Sequence, residues 1–312
     1  MLSAIKVWDG EKVPLFKSMG LEISAQCNRT CVFCPNHDFT RPDQQMPMQL
    51  IKKVLGELSD LNYSGRWHPY MYNEPLKDER LMDILRMYRK GLPRAIIGIS
   101  TNCDYLTPEI LAELIDAGVN SLTLNIYSAR DGNEDPKKVE RGIEISKKRA
   151  ALVQSWLDKH TQVQQSGSLY TGGSAHRVVG KVLHKYGVQK DSTNFGGSFK
   201  LANRSNNVEW LATDETEHYS GTCVRPFRIM EVRWTGDVVL CCHDYNGIKS
   251  YGNIADQTVE EIWNSMSLHR KREQLQNGVR KGKLCGVCDY NGGTYKHMIH
   301  PVQLERGKKA VS

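Results

Sequence analysis

The chain has 312 residues, of which 25% are charged, and a formal net charge of +7 at neutral pH. No apolar run approaches the roughly 20 residues that cross a bilayer, and residues 1–24 lack the charged-then-apolar order of a signal peptide, so we expect a soluble, cytoplasmic protein with no membrane partner. The basic residues occur in short runs on predicted helix faces and tails, which favours a solvated surface over a nucleic-acid interface.

The first predicted strand, Leu21–Ser24, leads directly into three closely spaced cysteines. Cys27, Cys31 and Cys34 have the spacing C-x3-C-x2-C. Cytosolic thiols remain reduced, so clustered cysteines are interpreted as metal ligands rather than as disulfides. Three thiolates on a [4Fe–4S] cluster leave one of its irons open. A zinc site is the alternative, with His37 as its fourth ligand.

Strands and helices alternate through the next hundred residues. Apolar residues repeat at helical spacing in residues 50–58 and 81–88. Extended apolar segments predict strands at Arg66–Tyr72, residues 95–100 and Leu122–Ile126. This order of elements is typical of repeated βα units around a parallel sheet.

The helix that follows the predicted strand at residues 95–100 has well-marked ends. Thr107 is placed as its N-cap, Pro108 lies in its first turn, and Gly118 follows its last apolar residues. A longer basic helix is predicted after the fourth strand, from about residue 136 to residue 159.

The pattern weakens beyond residue 160. Residues 162–174 are polar and rich in glycine and serine, and they suit a strand, a lid or a loop. Ala175–Tyr186 is predicted as a helix and Ser192–Leu201 as a final strand. The chain then contains six βα repeats, and the active site of such a parallel architecture lies at the carboxyl ends of its strands.

The cysteine loop resembles that of the radical S-adenosylmethionine (SAM) superfamily, which has this spacing and an aromatic residue, here Phe33, just before the last cysteine. In that superfamily the open iron is chelated by SAM, and an electron from the cluster cleaves SAM to a 5′-deoxyadenosyl radical. The resemblance implies an α/β fold, a partial (β/α)6 TIM-like barrel, which the six repeats match. It also implies that Phe33 lies near the adenine.

The resemblance implies further contacts with SAM. Glu74, in the Glu-Pro pair after the second strand, matches an acidic residue that holds the amino group of SAM, although Asn73 replaces the usual glycine. Ser100 and Asn102 match polar residues of a Ser-Thr-Asn-Gly motif that lie at the ribose or carboxylate, with Cys103 in place of the glycine. Each would otherwise be interpreted as a turn or a helix cap.

Two more positions complete this predicted cofactor site. Ser128 follows the fourth strand, at a position that often touches SAM in relatives. Arg204 belongs to an Asn-Arg pair resembling one that follows the sixth strand, where the arginine approaches SAM or substrate. The alternative for Arg204 is a surface loop.

The C-terminal third has a second cysteine pattern. Twelve residues separate Cys223 from Gly236, four more separate Gly236 from Cys241, and Cys285 and Cys288 follow as C-x2-C. The pattern resembles the opening of the SPASM domain. Its shortened form, the twitch domain, holds one auxiliary [4Fe–4S] cluster, which these four cysteines would ligate completely. Structural zinc is the alternative.

A predicted hairpin, Val232–Leu240, and a predicted helix, Val259–Met266, bring these cysteines together, and Cys242 is left as a spare thiol. The chain is therefore predicted to have four parts. They are an N-terminal lead-in (residues 1–19), the barrel (20–212), the auxiliary-cluster domain (213–300) and a basic tail (301–312).

The two cluster sites imply an oxidoreductase. By resemblance, the adenosyl radical removes a substrate hydrogen and the auxiliary cluster accepts an electron, as in dehydrogenases that oxidise a sugar or aminocyclitol alcohol to a ketone. A base must take the hydroxyl proton, and His68, Tyr72 and Arg204 are candidates by position. The implied partners are a small-molecule substrate and a reducing protein such as flavodoxin or ferredoxin.

Other functions fit the same motifs. An epimerase would need a thiol to return a hydrogen atom, and Cys103 and Cys242 are the candidate catalytic residues, with a buried structural cysteine as the alternative for each. Modification of a peptide, a nucleotide or a nucleic acid stays open. A protein without enzymatic activity would be an iron–sulfur carrier or a zinc-binding scaffold.

Overall fold

A mostly parallel β-sheet lies at the centre of the protein. The computed structural model describes residues 14–31, 34–37, 41–127, 163–165, 176–184, 187–188, 205 and 221–290, and scattered positions from 141 to 159. Within these residues the strands are β1 (Ser18–Leu21), β2 (Arg66–His68), β3 (Ile96–Thr101), β4 (Ser121–Tyr127), β5 (Val163–Gln165), β6 (His176–His184), β7 (Gly187–Val188), β8 (Ile229–Val232) and β9 (Val238–Val239).

Helices cover the sheet. The described α-helices are α1 (Met48–Asp60), α2 (Leu81–Gly91), α3 (Pro108–Asp116), α4 (Val259–Trp263), α5 (Met266–Gln276) and α6 (Gly282–Cys285). Short 3-10 helices span Pro35–His37, Pro75–Lys77 and Arg225–Phe227. None of the described helices is long and apolar enough to cross a membrane.

The order of the sheet is β5-β6-β4-β3-β2-β1-β8-β9, and β7 pairs with β6. Every pairing from β5 to β8 is parallel, while β8–β9 and β6–β7 are antiparallel. The predicted α/β class with a parallel, barrel-type sheet is therefore confirmed. The chain order is broken at two places. The long β6 pairs with β4 along all seven residues of β4 and leaves the short β5 at the edge, and β8 pairs with β1.

The first helices agree well with the prediction. The apolar faces of α1 and α2 pack into the core, including Ile51, Val54 and Ile84. The Thr107 hydroxyl caps α3 by accepting a hydrogen bond from the Ile110 amide at 3.2 Å. Gly118 ends that helical segment with a φ of +88°, a conformation that favours glycine.

Two predicted strands have different bounds in the structure. β1 begins and ends three residues before the predicted Leu21–Ser24, because the ladder contacts with β2 and β8 start at Ser18. β2 ends at His68 rather than Tyr72. The next residue is Pro69, which has no amide hydrogen to donate to a sheet.

The predicted helix at Ala175–Tyr186 is wrong, because residues 176–184 form β6. This segment contains three valines, and its pairing with strands on both sides overrides the helical spacing. The described positions between 141 and 159 are helical, as predicted. The predicted strand Ser192–Leu201 lies outside the described residues.

The C-terminal part of the chain joins the same sheet. β8 and β9 form the predicted hairpin, with Gly236 at a φ of +90° in the turn, and β8 pairs in parallel with β1. Helix α1 also holds this part in place, since Lys53 Nζ donates to the carbonyl oxygens of Ile254 and Gln257, each at 2.7 Å. The helix predicted at Val259–Met266 ends at Trp263, and α5 follows.

Along residues 19–23, in β1 and just after it, successive side chains point alternately into the hydrophobic core and into the barrel interior. Met19, Leu21 and Ile23 are fully buried in the hydrophobic core that includes α1 and α2. Gly20 and Glu22 point to the opposite side of the sheet, because successive side chains of a strand face opposite ways. The interior side at this level therefore carries the Glu22 carboxylate and, at Gly20, no side chain.

Candidate active site

The three N-terminal cysteines lie on one loop beyond the carboxyl end of β1. The amide of Cys34 donates to the carbonyl oxygen of Cys31 at 2.8 Å, which folds the loop into a turn. Burial raises the pKa of Cys27 to about 11 and that of Cys31 to about 12, and the charge of Cys34 raises both further. Three convergent thiolates that repel one another in a buried loop need a cationic group, so this donor set fits an iron–sulfur cluster.

An ion pair fixes this loop to the loop after β3. Both nitrogens of the Arg29 fork donate to the Asp104 carboxylate, at 2.6 Å and 2.5 Å, and both side chains are almost fully buried. Asn28 Nδ2 donates to the same carboxylate at 2.7 Å, and Asn28 Oδ1 accepts from Asn102 Nδ2 at 2.7 Å. Although burial opposes it, hydrogen bonding to Arg29 lowers the pKa of Asp104. The sequence analysis did not identify Arg29 or Asp104.

Glu74 connects three loops at the carboxyl ends of the strands. Its amide donates to the carbonyl oxygen of Gln26 at 2.8 Å. Its carboxylate accepts from Thr101 Oγ1 and the Asn102 amide, each at 2.7 Å, and from the Leu76 amide at 3.1 Å. Burial raises the pKa of Glu74 to about 7, against the effect of these donors. The contact of Glu74 with SAM stays a prediction, since the described contacts of its carboxylate are within the protein.

The other predicted SAM-binding residues are placed as follows. Asn102 is buried beside the cysteine loop through its hydrogen bond to Asn28. Ser100 is half-buried and accepts from Asn125 Nδ2 at 2.8 Å. Phe33, Ser128 and Arg204 lie outside the described residues, and the predicted roles of all five stay predictions.

Cys103 is a buried core residue. Its side chain is 1% exposed and packs in the hydrophobic core, and its backbone has a φ of +65°. This left-handed conformation explains why a glycine suits the same position of the Ser-Thr-Asn-Gly motif. This location favours a structural role for Cys103 in the core. It does not place the Cys103 thiol at the barrel mouth, where a hydrogen-atom donor would be needed.

Four of the C-terminal cysteines line one cavity. They lie before the 3-10 helix Arg225–Phe227, after β9, at the end of α6 and after the turn that follows α6. They are Cys223, Cys241, Cys285 and Cys288. Burial raises the pKa of the first three, and the neighbouring thiols raise it further. The structure thus brings together the predicted ligand set, and four thiols in one cavity fit one cluster.

Cys242 lies outside this cavity lining. Its Sγ accepts a hydrogen bond from Arg225 Nη1 at 3.1 Å, and the Arg225 guanidinium lies 3.7 Å from the centre of the Tyr290 ring. Although burial opposes the charge, the pKa of Arg225 is raised by Cys242 and Cys241. Sequence analysis did not identify Arg225, which places a half-buried positive charge beside the auxiliary ligands.

A second possible donor set adjoins the cavity. Nδ1 of His243 lies 3.7 Å from Cys288 Sγ and 3.5 Å from Ser205 Oγ. His243, Cys288 and Asp289 have potential ligand atoms within 4.8 Å of one another. The cysteine pattern of the C-terminal third assigns no role to His243, because that pattern is defined by the spacing of cysteines alone.

The barrel interior near the predicted base residues is polar. Burial lowers the pKa of His68 to about 3, so its imidazole is neutral. The Tyr72 hydroxyl donates to the carbonyl oxygen of Cys242, while the Tyr72 amide donates to Glu22 at 2.9 Å. Glu22 also accepts both nitrogens of the Arg41 fork, at 2.8 Å and 2.7 Å. These contacts connect the barrel strands to the C-terminal cysteine segment.

Comparison with known proteins matches both halves of this arrangement. A model of the radical SAM superfamily matches residues 21–153, and a model of the SPASM iron–sulfur cluster-binding domain matches residues 223–289. The chain is 25% identical over 279 residues to an S-adenosyl-L-methionine-dependent 2-deoxy-scyllo-inosamine dehydrogenase of Niallia circulans, covering 88% of this chain and 93% of the relative.

A more distant relative comes from Pyrococcus furiosus. It is a tungsten-containing aldehyde ferredoxin oxidoreductase cofactor-modifying protein, 23% identical over 302 residues, covering 80% of this chain and 81% of the relative. Among solved structures, BtrN in complex with AdoMet and 2-DOIA has a TM-score of 0.64 at 23% identity, covering 92% of this chain and 100% of that chain. This structural likeness confirms the fold.

Proposed function

We propose, from the premise that this chain belongs to the radical SAM superfamily and carries a C-terminal SPASM-type iron–sulfur domain, that it oxidises a secondary alcohol of an aminocyclitol-like molecule to a ketone. The radical SAM domain implies a [4Fe–4S] cluster and SAM, and the SPASM domain implies auxiliary iron–sulfur binding. The protein is an S-adenosylmethionine-dependent oxidoreductase. The substrate is proposed from the dehydrogenase of Niallia circulans, which acts on 2-deoxy-scyllo-inosamine.

The observation that carries the proposal is the cavity lined by four cysteine thiols. Cys223, Cys241, Cys285 and Cys288 provide complete ligation for one auxiliary cluster, so such a cluster has no open iron for substrate. Its role is then electron transfer. An alcohol that has lost a hydrogen atom must lose one further electron and one proton to become a ketone, and an adjacent cluster accepts that electron.

The proposed reaction uses two groups of residues, the N-terminal cysteine loop for radical formation and the C-terminal cysteines for electron transfer. Cys27, Cys31 and Cys34 would hold the cluster that binds SAM, and this pair supplies a 5′-deoxyadenosyl radical when bound. The loops carrying Glu74 and Asn102 would keep that site rigid through their shared hydrogen bonds. The carbinol C–H hydrogen leaves as an atom, the hydroxyl proton goes to a base, and one electron goes to the auxiliary cluster.

We further propose a cytoplasmic location and a flavodoxin or ferredoxin as the reducing partner. Both follow from the need to deliver single electrons to a reducing, oxygen-sensitive cluster.

Epimerisation is a second possible reaction of the same two clusters, and it requires a thiol near the substrate. Cys242 suits this role better than Cys103, since Cys242 is half-buried beside the auxiliary ligands and Cys103 is in the core.

The test uses the full chain reconstituted with iron and sulfide without oxygen. We expect about eight irons and no zinc per chain, and 5′-deoxyadenosine after addition of dithionite and SAM. With 2-deoxy-scyllo-inosamine deuterated at the carbinol carbon, deuterium should enter 5′-deoxyadenosine and a ketone should form. An epimer in place of the ketone would favour the second outcome.

The control is the triple variant Cys27→Ala, Cys31→Ala, Cys34→Ala, which should retain the auxiliary cluster and form no 5′-deoxyadenosine. Zinc in place of iron in the wild-type protein would contradict the proposed chemistry. Formation of 5′-deoxyadenosine without transfer of deuterium would contradict only the substrate.

A further inference from the structure

Three residues at one level of the barrel interior lie next to one another. Gly20 on β1 is in register with His68 on β2 and with Glu231 on β8. A Cβ atom added to Gly20 would overlap Glu231 Oε2 and would lie 2.8 Å from His68 Nε2. The absence of a side chain at Gly20 therefore lets a carboxylate and an imidazole from two neighbouring strands converge on the same side of the sheet.

Both side chains are buried and incompletely paired. The Glu231 side chain is 6% exposed and that of His68 is 12% exposed, with His68 Nε2 4.0 Å from Glu231 Oε2. Within the described part of the chain, Glu231 Oε2 and His68 Nδ1 are buried without a hydrogen-bond partner. A buried carboxylate oxygen in this state costs free energy, which a ligand that donates a hydrogen bond would recover.

The charges around the pair favour a cationic ligand. Burial raises the pKa of Glu231 to about 8, the positive Arg225 opposes this and the negative Glu22 adds to it. Burial keeps His68 neutral, with Arg66 acting in the same direction, so His68 does not neutralise the carboxylate. The Arg225 guanidinium is directed to Cys242 Sγ instead. Near neutral pH the Glu231 carboxyl group is therefore protonated in the free protein. An ammonium ligand would favour its ionised form, because an opposite charge lowers the pKa of a carboxyl group and forms a strong, charge-assisted hydrogen bond with it.

The pair also lies toward the auxiliary ligands. The Tyr70 ring packs against His68 in a tilted arrangement, with ring centres 4.6 Å apart, and Tyr70 interacts electrostatically with both Glu231 and Cys242. Cys242 is adjacent in sequence to Cys241, which lines the auxiliary cavity. A molecule bound at the pair is thus positioned on the side of the barrel from which an electron would pass to the auxiliary centre.

We propose that Glu231 and His68 form the substrate-anchoring pair, in which Glu231 binds the ammonium group of a cyclic aminopolyol and His68 hydrogen-bonds to one of its hydroxyl groups. The inference rests on the proposed function and adds the reason why an amine, rather than a neutral polyol, is selected. Glu231 was not among the residues identified from the sequence, and His68 was predicted only as a base.

The experiment compares the reconstituted wild-type protein with Glu231→Gln and His68→Gln. The two substrates are 2-deoxy-scyllo-inosamine and the analogue in which its amino group is replaced by a hydroxyl. For Glu231→Gln we expect KM for the amine to rise about 10- to 100-fold, with the preference for the amine lost. Formation of 5′-deoxyadenosine without substrate should be unchanged. Glu113→Gln, at an exposed helix position, is the matched control.

Gly20→Ala provides a second route to the same result, because its methyl group would overlap Glu231 Oε2 and force the carboxylate away from its position beside His68. Gly56→Ala is its control, since a Cβ there has no neighbour within 4 Å. We expect the loss of amine binding in Gly20→Ala and none in Gly56→Ala. An unchanged KM and unchanged amine preference in both Glu231→Gln and His68→Gln would overturn the proposal.

Calorimetry separates this inference from the proposed function. If the wild-type protein oxidises neither compound, binding of the amine to the wild-type and Glu231→Gln proteins is measured directly in the presence of SAM. Binding that is weakened in Glu231→Gln supports the anchoring pair even then. Equal binding to both proteins, or no binding to the wild-type protein, contradicts it.

Discussion

Arg225 donates a hydrogen bond from Nη1 to Sγ of Cys242 at 3.1 Å, which places a half-buried guanidinium next to the residue that follows an auxiliary ligand. The positive charge also interacts with Cys241 itself. Hydrogen bonds and charges around the sulfurs set the reduction potential of an iron–sulfur cluster. Arg225 therefore has a position from which it would tune the auxiliary centre without ligating it.

Replacing Arg225 should lower the reduction potential of that centre. For Arg225→Gln we expect a decrease of tens of millivolts, because removal of a nearby positive charge destabilises the reduced, more negative cluster. Arg225→Lys retains the charge and should shift the potential less. The measurement is a redox titration followed by electron paramagnetic resonance, in the background of the triple variant at Cys27, Cys31 and Cys34. Equal potentials in both variants would refute this role.

The cavity lining predicts which C-terminal cysteines hold iron. Cys288→Ala removes a thiol of the cavity, so iron should fall from about eight to about four per chain. Cys242→Ala removes a thiol outside the lining, so the iron content should not change. Iron and sulfide assays on the reconstituted proteins measure this, and an equal loss of iron in both variants would show that the ligand set is wrong.

The buried ion pair between the cysteine loop and the β3 loop should be important for stability. Asp104→Ala leaves Arg29 buried without its carboxylate, and we expect a loss of about 3 kcal/mol in the free energy of unfolding. Glu113→Ala breaks the half-exposed pair with Arg86, and we expect less than about 1 kcal/mol. Denaturant unfolding of the two variants compares them. Similar losses would contradict the interpretation of Asp104 as a structural anchor.

The anchoring pair predicts a pH-dependent cost to stability. Burial raises the pKa of Glu231 from 4.5 to about 8 in the folded protein. Below pH 4.5 the group is protonated in both states and costs nothing, whereas from pH 4.5 to 8 only the unfolded state ionises, so stability is lost as pH rises.

Glu231→Gln should therefore be stabilised relative to the wild-type protein, with a gain that grows from pH 5 to pH 8 and reaches a few kcal/mol. The measurement is the midpoint of thermal unfolding at several pH values. His68 is present in both proteins and cancels in the comparison. A difference between the two proteins that is independent of pH would argue against a titrating Glu231.

Cys103 is expected to act in packing rather than in hydrogen-atom transfer. Because its thiol is buried in the core, Cys103→Ala should leave the rate and stereochemical outcome of turnover within about twofold of the wild-type values. Product analysis in deuterium oxide checks this, since a thiol donor would introduce deuterium into the product. Deuterated product that disappears in Cys103→Ala would restore the donor role.

The sequence determined the chemistry of both metal sites, because ligand type and spacing on a single loop or C-x2-C turn are local properties. Cys27, Cys31 and Cys34 were identified in this way, and so were the alternating elements and the cap at Thr107. Local periodicity failed at residues 176–184, where pairing with two neighbouring strands makes a strand of an apparent helix.

Only the tertiary structure placed Gly20, His68 and Glu231 next to one another. Gly20 and Glu231 are more than 200 residues apart along the chain. The three residues converge because of the register of two parallel pairings, β1 with β2 and β1 with β8, the second of which brings a strand of the C-terminal part next to β1. No local pattern encodes such a register. The same reason accounts for Arg29 and Asp104, whose pairing across two loops gives neither residue a signature in the sequence.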